Sequence, residues 1–446
     1  MKVFKFSIFF ASLLLLIFSC NKDQSVVEDQ AKNDHFYPRI FNDLDLFPST
    51  SSVIAEGDTA SFTGMQYSPA DKIRISWTVN GIEKSTDKNF FFVGGSAGDY
   101  AVQLNVISGD DTAYRKTEIL VNSSKYTHKT YTLISMAYLN DTATASSVDW
   151  STVTHVTYKG GFVDALGSLD LSSANENQRA LRLTANGHLH GVPVLLGISG
   201  ELSEDGWAVY PSNNLGSVLA DPVKRKLLVD STKAAIDRLK MDGVDIMMTD
   251  INSTTAQINA AIAGIAPFVH ELKAALGDTT LVTVTATTNY YYSRYPDLSE
   301  ADWVNIHAFE DELHVGPDAP LGLSSSYDYM VEAANNWKAK LDAKKIVIGA
   351  PAMGLHYTAV NDNGNNLGWT SYHYMPYKDI LSIDADVYNK TFIPYDKGLY
   401  FNGVPLIQQK ASFAKSGGFA GMYLWPANWD TTGPHSLMAA IYNSFY

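Results

Sequence analysis

The sequence predicts an α/β protein in which an eight-stranded (β/α) barrel follows a small all-β domain. From about residue 130 to 446, short segments rich in Val, Ile and Leu alternate with amphipathic helical patterns. Eight such repeats in just over 300 residues is the size of a TIM barrel. Between about 40 and 122, by contrast, apolar and polar residues alternate and turn-forming residues separate the segments, as in a β-sandwich.

The first 20 residues have the composition of a signal segment. Two lysines precede an apolar run from Ile8 to Phe18, which is too short to span a bilayer comfortably. The run leads to Cys20, the only cysteine, so neither a disulfide nor a cysteine metal site is expected. The ending Ile-Phe-Ser-Cys resembles the lipobox of bacterial lipoproteins, which implies lipidation of Cys20. A buried structural cysteine is the alternative.

Residues 21–39 are polar and charged, and we expect them to form a flexible tether between the lipid anchor and the folded domains. Such a tether is typical of an outer-membrane lipoprotein, on the cell surface or on the periplasmic face. The net charge of -14 argues against nucleic acid or an anionic membrane surface as a partner. It is consistent with a neutral ligand. Partner proteins in an outer-membrane glycan-uptake complex are a further possibility that the sequence leaves open.

The all-β region is predicted to span residues 40–122. Its alternating segments are Ala60–Thr63, Ile73–Asn80 and Tyr100–Val106. The segments around Trp77 and Tyr100 resemble PKD and other immunoglobulin-like modules. Trp77 is then the core tryptophan of a sandwich that acts as a spacer, the alternative being an aromatic platform for a glycan.

After a polar linker, the barrel is predicted to run from 130 to 446. The eight strand candidates are 132–138, 153–158, 192–198, 244–248, 281–286, 303–308, 345–348 and 418–425. One helix begins at Asp221-Pro222, where an N-cap residue precedes proline at the first helical position. No cofactor motif is present. His155, His307 and Asp245 are conceivable metal ligands, but no closely spaced histidine pair supports a metal site.

The fourth barrel strand carries the most informative motif, Asp242-Gly-Val-Asp-Ile-Met-Met-Thr249. It resembles the Asp-Gly-x-Asp-x-Asp-x-Glu signature of glycoside hydrolase family 18, the chitinase-like enzymes. Asp242, its glycine and Asp245 match, whereas Met247 replaces the second strand Asp and Thr249 stands at the position of the catalytic Glu. The resemblance therefore implies the family's barrel without its general acid.

The sixth and eighth strands extend the resemblance. Asn-Ile-His-Ala-Phe-Glu310 aligns with the family's Asn-x-Met-x-Tyr-Asp, so His307 replaces Met, Phe309 replaces Tyr and Glu310 replaces Asp. The eighth strand ends at Trp425, which in the family forms the floor of the sugar subsite. In the family the Tyr and the second Asp hold the substrate's acetamido group during substrate-assisted hydrolysis, so the resemblance implies that this mechanism is lost here.

Strand periodicity sharpens this expectation. Residues two apart share a face, so Asp245, Met247 and Thr249 should point into the barrel, whereas Asp250 is out of phase and should point outward. A threonine hydroxyl cannot serve as general acid near neutral pH, and loss of such an acid costs about two to four orders of magnitude in rate. Asp250 and Glu310 are the candidates for a substitute acid.

The sequence retains the residue types that bind a sugar in such a site. Aromatic faces and hydrogen-bonding rims are what a neutral glycan needs. The predicted glycan-binding residues are Trp425, Asp245, Tyr158, Phe309, Glu310, Trp369 and Trp429; for Asp245, a structural role as a buried carboxylate is also considered. The sequence thus predicts a lipid-anchored protein that binds a glycan containing N-acetylglucosamine without cutting it. An active endo-acting hydrolase with a displaced acid and a protein-binding scaffold are the alternatives.

Overall fold

A computed structural model describes residues 37–48, 52–123, 125–171, 174–200, 213–248, 255–288, 290–384 and 386–446. The chain forms two compact units. The first comprises the described residues up to 47 together with 62–90 and 103–116, and the second comprises 48–61, 91–102 and 117–446. The predicted signal segment with Cys20, most of the tether, Thr249 and Asp250 lie outside the described residues.

The N-terminal region consists of nine strands, and the segments predicted to be extended are strands. They are β1 (Arg39–Phe41), β2 (Ser52–Ala55), β3 (Thr59–Phe62), β4 (Gln66–Ser68), β5 (Arg74–Val79), β6 (Ile82–Ser85), β7 (Phe90–Val93), β8 (Gly98–Ser108) and β9 (Asp111–Asn122). In the first unit, β5 and β6 pair antiparallel through a two-residue turn, Asn80-Gly81. Both turn residues have positive φ, 51° and 77°, as this tight hairpin turn requires.

Trp77 lies at the centre of the first unit's core. It is fully buried, and its ring packs against those of Phe47, Phe62 and Phe90 at centroid distances of 6.1, 5.3 and 5.1 Å. Its indole N–H donates to the carbonyl of Asp87 at 3.0 Å. Trp77 is therefore a core residue, as predicted, and offers no exposed face to a glycan. In the second unit, β2 pairs parallel with the end of β9.

A closed parallel barrel forms the main part of the second unit. The strands from here on are β10 (Ile134–Leu139), β11 (His155–Val163), β12 (Leu169–Asp170), β13 (Val194–Ser199), β14 (Gly243–Met248), β15 (Leu281–Thr287), β16 (Val304–His307), β17 (Ile346–Pro351), β18 (Met353–Tyr357), β19 (Tyr372–Pro376), β20 (Phe392–Ile393), β21 (Gly398–Phe401) and β22 (Gly421–Trp425). The barrel order is β10-β11-β13-β14-β15-β16-β17-β22, and β22 returns to pair with β10. All eight predicted strands are present.

Helices cover the outside of the barrel. They are α1 (Ala174–Leu189), α2 (Asn213–Ala220), α3 (Pro222–Leu239), α4 (Thr255–Leu276), α5 (Tyr327–Lys338), α6 (Tyr377–Ile380), α7 (Val404–Ser416) and α8 (Leu437–Phe445). Helix α3 begins as predicted, because the Asp221 side chain accepts hydrogen bonds from the N–H groups of Val223 and Lys224. None of the helices in the described ranges combines the length and apolarity that crossing a membrane requires.

The two sides of the barrel wall carry different side chains. On β14, Val244, Ile246 and Met248 pack in the layer between strands and helices. Met247 instead belongs to the cluster inside the barrel. The predicted alternation therefore holds as far as Met248. Between the seventh and eighth barrel strands, β18 to β21 form an antiparallel four-stranded sheet in the order β19-β18-β21-β20.

Candidate functional site

The barrel interior contains an apolar cluster that reaches the C-terminal ends of the strands, where TIM-barrel active sites lie. Its members are Ile134, Met136, Tyr138, Leu195, Met247, Trp303, Phe309, Val347, Met353, Tyr423 and Trp425. Met247 and Phe309, which occupy the positions of the Asp and Tyr in the predicted motif alignment, are both buried in this cluster. Neither side chain has a polar group that could hold an acetamido group.

Asp245 is the polar centre of the interior. Its carboxylate accepts hydrogen bonds from the hydroxyls of Tyr138 at 2.8 Å, Thr283 at 2.5 Å and Thr285 at 2.6 Å. The Asn305 side-chain amide donates a fourth, at 2.9 Å. Burial raises the pKa of Asp245 above its usual value, although all four hydrogen bonds act in the opposite direction.

Trp425 ends the eighth strand and is completely buried. Its ring meets Tyr138 edge to face, with centroids 5.2 Å apart. The ammonium nitrogen of Lys159 lies over the indole, 5.1 Å from the ring centroid, as in a cation–π pair. The indole Nε1 is buried and has no hydrogen-bond partner among the residues that the structure describes. Because no part of the ring is exposed, a sugar can stack on it only if the groups that cover it move.

Glu310 follows the sixth strand and is held by two side chains. The Nε2 atom of His307 lies 2.6 Å from its Oε2 atom, and the Tyr374 hydroxyl also bonds to it. Burial and, after it, the charge of Glu310 raise the pKa of Tyr374 well above its usual value. Glu310 has φ of 64°, an uncommon left-handed conformation for a residue other than glycine, and such conformations concentrate at functional sites.

A small cavity lies beside Glu310. Its volume is about 10 Å³, the space of one water molecule. It is lined by Phe309, Glu310, Ser324, Ser325, Pro351, Met353, Leu355, Tyr374 and Tyr400. The sheet of β18 to β21, which is inserted between the seventh and eighth barrel strands and is called the insertion sheet from here on, thus forms one wall of the barrel mouth and contacts Glu310.

Residues 111–430 match the family described as Glycosyl hydrolases family 18. The chain belongs to glycoside hydrolase family 18. Curated protein sequences contain no match to this chain. Its closed eight-stranded barrel is the fold that this family membership predicts.

Solved structures of family 18 proteins are similar to this chain in fold. A chitinase from Bacteroides thetaiotaomicron has a TM-score of 0.58 and 20% identity, over 71% of this chain and 97% of that one. The chitinase ChiB from the chitin utilization locus of Flavobacterium johnsoniae gives 0.57 and 18%, over 71% and 94%. The chitinase-like agglutinin RobpsCRA from Robinia pseudoacacia gives 0.55 and 18%, over 70% and 100%. At these identities, the similarity shows the fold alone.

Two of the predicted glycan-binding residues lie away from the mouth surface. Tyr158 packs in the outer layer between strands and helices, and its hydroxyl donates to the Asp141 carbonyl at 3.0 Å. Tyr158 faces away from the barrel interior because it is adjacent in sequence to Lys159, whose side chain points inward. Asp245 does face inward, but it is fully buried. Its four hydrogen bonds, all to other barrel strands, are consistent with the structural alternative considered for this residue.

The two remaining tryptophans lie in loops. Trp369 is 67% exposed, and its ring lies against Gly316. A Cβ atom at position 316 would lie 3.0 Å from the ring, so glycine leaves room for it. Trp369 is the most open aromatic platform among the predicted residues. Trp429 follows β22 in a 3-10 turn and is partly buried against the interior cluster. The ring of Trp369 is therefore largely exposed to solvent, whereas that of Trp425 is completely buried.

Several interior residues were missed by sequence reasoning. Tyr423 and Lys159 are inward-facing and fully or almost fully buried, as is Tyr138. Strand periodicity would have indicated Tyr423, because it lies two residues before Trp425 on the same strand. Lys159 gave no comparable signal, since a lysine near a strand end is usually solvent-exposed.

No metal centre is formed by the residues that the structure describes, since no three His, Cys, Asp or Glu side chains converge on one point. His155 begins β11 and His307 ends β16, so the two lie at opposite ends of a parallel barrel. Burial lowers the pKa of His155 to about 3, which keeps its imidazole neutral.

Proposed function

We propose that this protein is a glycan-binding member of family 18 that does not hydrolyse its ligand by the family's substrate-assisted mechanism. The observation that carries the proposal is the burial of Met247 and Phe309 in the apolar interior cluster. These positions would have to supply the polar partners of an acetamido nucleophile. Losing both, together with the acid that Thr249 replaces in the sequence, removes the groups that lower the barrier.

The ligand proposed is a neutral glycan that contains N-acetylglucosamine. Chitinases are among the proteins of similar fold, and one neighbour is named an agglutinin, which supports binding without turnover as a use of this barrel. Trp369 supplies an exposed ring, and Trp425 supplies a buried indole whose N–H has no partner among the described residues. Ring faces and a few convergent polar groups are what a sugar site requires.

The proposal is tested with tetra-N-acetylchitotetraose, by calorimetry for binding and by a reducing-end assay for turnover. We expect binding and no new reducing ends during prolonged incubation at high protein concentration. Trp425→Phe should weaken binding at least about tenfold, because it removes the buried N–H and part of the ring. Trp77→Phe is the matched control, since Trp77 is equally buried but lies in the core of the first unit.

Hydrolysis by a displaced acid is the competing function, and Glu310 is the observation that favours it. Its carboxylate lies at the mouth next to His307 and is part-buried. New reducing ends that disappear in Glu310→Gln or in Asp250→Asn, but persist in Trp77→Phe, would overturn the proposal of a non-hydrolysing protein. They would also identify the acid.

We further propose that lipidation of Cys20 anchors the protein in the outer membrane. The support is the position of this cysteine directly after the apolar run of the signal segment. In cells, the wild-type protein is expected in the membrane fraction and in the detergent phase on partitioning, whereas Cys20→Ser should appear in the aqueous phase. A Cys20→Ser protein that stays in the detergent phase would show that the anchor lies elsewhere.

A further inference from the structure

Two loops meet at Trp369, the most open of the predicted glycan-binding aromatics. The first loop, 308–326, follows β16 and begins on the mouth side of the barrel, because the C-terminal ends of the parallel strands lie there. The second loop, 358–371, joins β18 to β19 in the insertion sheet. Trp369 belongs to the second loop, and its ring lies against Gly316 of the first. The position of the ring therefore depends on how the two loops are held together.

Asn366 holds the two loops together. Its backbone N–H donates to the carbonyl of Ala319, and its backbone carbonyl accepts from the N–H of Asp318, both at 2.9 Å. Its side-chain Nδ2 atom donates to the carbonyl of Gly316 at 2.6 Å and to that of Gly368 at 2.9 Å. One amide group thus joins the glycine beside the ring to the glycine that precedes the tryptophan.

The chemistry of these contacts requires an amide at position 366. Both neighbours of the side-chain atom are carbonyl oxygens, which only accept hydrogen bonds, so the atom that faces them is the amide nitrogen with its two hydrogens. Asn366 is fully buried, and its Oδ1 atom has no hydrogen-bond partner among the described residues. An aspartate of nearly the same shape would place an oxygen atom there, which both carbonyl oxygens would repel.

The first loop has a backbone that accommodates the ring. Gly316 has φ of 94° and has no Cβ atom to collide with Trp369. Asp318 has φ of 61°, which is uncommon for a residue other than glycine. Such conformations persist where surrounding contacts fix them, and the hydrogen bonds of Asn366 to this loop do so. The loops therefore fix the tryptophan while most of its surface stays exposed.

We propose that Trp369 is the platform of an outer sugar site and that Asn366 is its positioning residue. A ring that is already fixed loses little freedom when a pyranose stacks on it, so more of the contact energy appears as affinity. This inference rests on the proposed glycan-binding function. It adds a site that a glycan reaches without movement of the groups that cover Trp425, because Trp369 is exposed.

A double-mutant cycle with tetra-N-acetylchitotetraose, measured by calorimetry, tests the proposal. Trp369→Ala should lower the affinity at least about tenfold, as truncation of a tryptophan in a binding site does. Asn366→Asp keeps the size of the side chain and should lower the affinity about threefold or more, which is the effect of leaving one side chain to be ordered on binding. In the Trp369→Ala background, Asn366→Asp should change the affinity less than about twofold, since no ring remains to be positioned.

Gly316→Ala tests the same contact without changing Asn366. Its Cβ atom would displace the ring, so the affinity should again fall about threefold or more in the wild-type background. In the Trp369→Ala background the effect should stay below about twofold, because the new methyl group meets no ring. Thermal unfolding should confirm that each variant is folded, and if Asn366→Asp is not, Gly316→Ala carries the test.

The control is Asn186→Asp near the end of α1. There an asparagine amide also donates to a carbonyl, that of Arg182, at 2.8 Å. Helix α1 leads into the N-terminal end of β13, so this position lies away from the mouth. The affinity of Asn186→Asp for the tetrasaccharide should equal that of wild type.

The outcomes separate this inference from the function on which it rests. An equal loss by Asn366→Asp in both backgrounds, or no loss by Asn366→Asp and Gly316→Ala, would overturn the positioning role. Unchanged binding by Trp369→Ala, while Trp425→Phe weakens it, would overturn the outer sugar site and leave the proposed function standing. A wild-type protein that does not bind tetra-N-acetylchitotetraose contradicts the proposed function and the outer sugar site together.

Discussion

Replacing Asp245 by alanine is expected to lower the free energy of unfolding of the barrel by about 3–5 kcal/mol, because it leaves four buried hydrogen-bond donors without their shared acceptor. The carboxylate is the shared acceptor of four donors that come from three other strands of the barrel, β10, β15 and β16. Without it, three hydroxyls and one amide face an apolar cavity. Urea unfolding followed by tryptophan fluorescence measures the loss.

Asp245→Asn is the matched variant, because it keeps the volume and one acceptor oxygen. The hydroxyls of Tyr138 and Thr285 can rotate to accept from the new amide, so we expect less than half of the alanine effect. If the two variants were equally destabilised, the negative charge itself would be the source of stability. If neither were destabilised, the network of four donors would carry no net energy.

The hydrogen bonds of Asp245 give a physical reason why some positions of the predicted family signature match and others do not. In the predicted motif alignment Asp242 and Asp245 match the family, and both carboxylates form hydrogen bonds within the barrel that do not depend on hydrolysis. Asp242 accepts from the Val194 N–H at 2.8 Å and lies 3.1 Å from the Nε2 atom of His188. The departures at Met247 and Phe309 instead fall on side chains that a catalytic site would need in contact with substrate. The matching half of the signature is thus the half that supports the fold.

Most of the barrel could be predicted because its determinants are local. Buried strands are short apolar runs, and helix starts such as Asp221-Pro222 are fixed by neighbouring residues. The inward positions on β14 also followed from the period of two. The family resemblance then supplied the expected places of Met247, Phe309 and Trp425, and the structure brings all three into one cluster.

The side-chain contacts at the barrel mouth could not be predicted, because they join segments that are distant in sequence. Lys159 lies over the ring of Trp425 although 266 residues separate them in sequence, the difference of their numbers. Tyr374 reaches Glu310 from an inserted sheet. Tyr158 is a predicted glycan-binding residue, but its packing with the helix layer shows that it lies one residue out of phase with the inward positions.

Lys410 provides the second large expected effect, in the dependence of stability on pH. It lies on α7, is fully buried, and donates one hydrogen bond to the Ser325 carbonyl at 2.6 Å. Burial lowers the pKa of Lys410 from 10.5 to about 7. Between these two values the unfolded chain binds a proton that the folded chain does not, so stability rises with pH by about 1.4 kcal/mol per unit. Below about pH 7, both states are protonated and the full cost of the buried charge remains.

The effect is isolated by comparing wild type with Lys410→Met in urea unfolding from pH 7 to pH 9.5. Methionine keeps the apolar volume and removes the titrating group, so the variant should be more stable near pH 7. Its advantage should shrink by about 3 kcal/mol over this range, which follows from the slope per pH unit. Lys226→Met is the control, because Lys226 is exposed and pairs with Asp230 on the helix surface. Parallel curves for wild type and Lys410→Met would mean that the lysine keeps its charge when buried, and that its carbonyl partner compensates for the lost hydration.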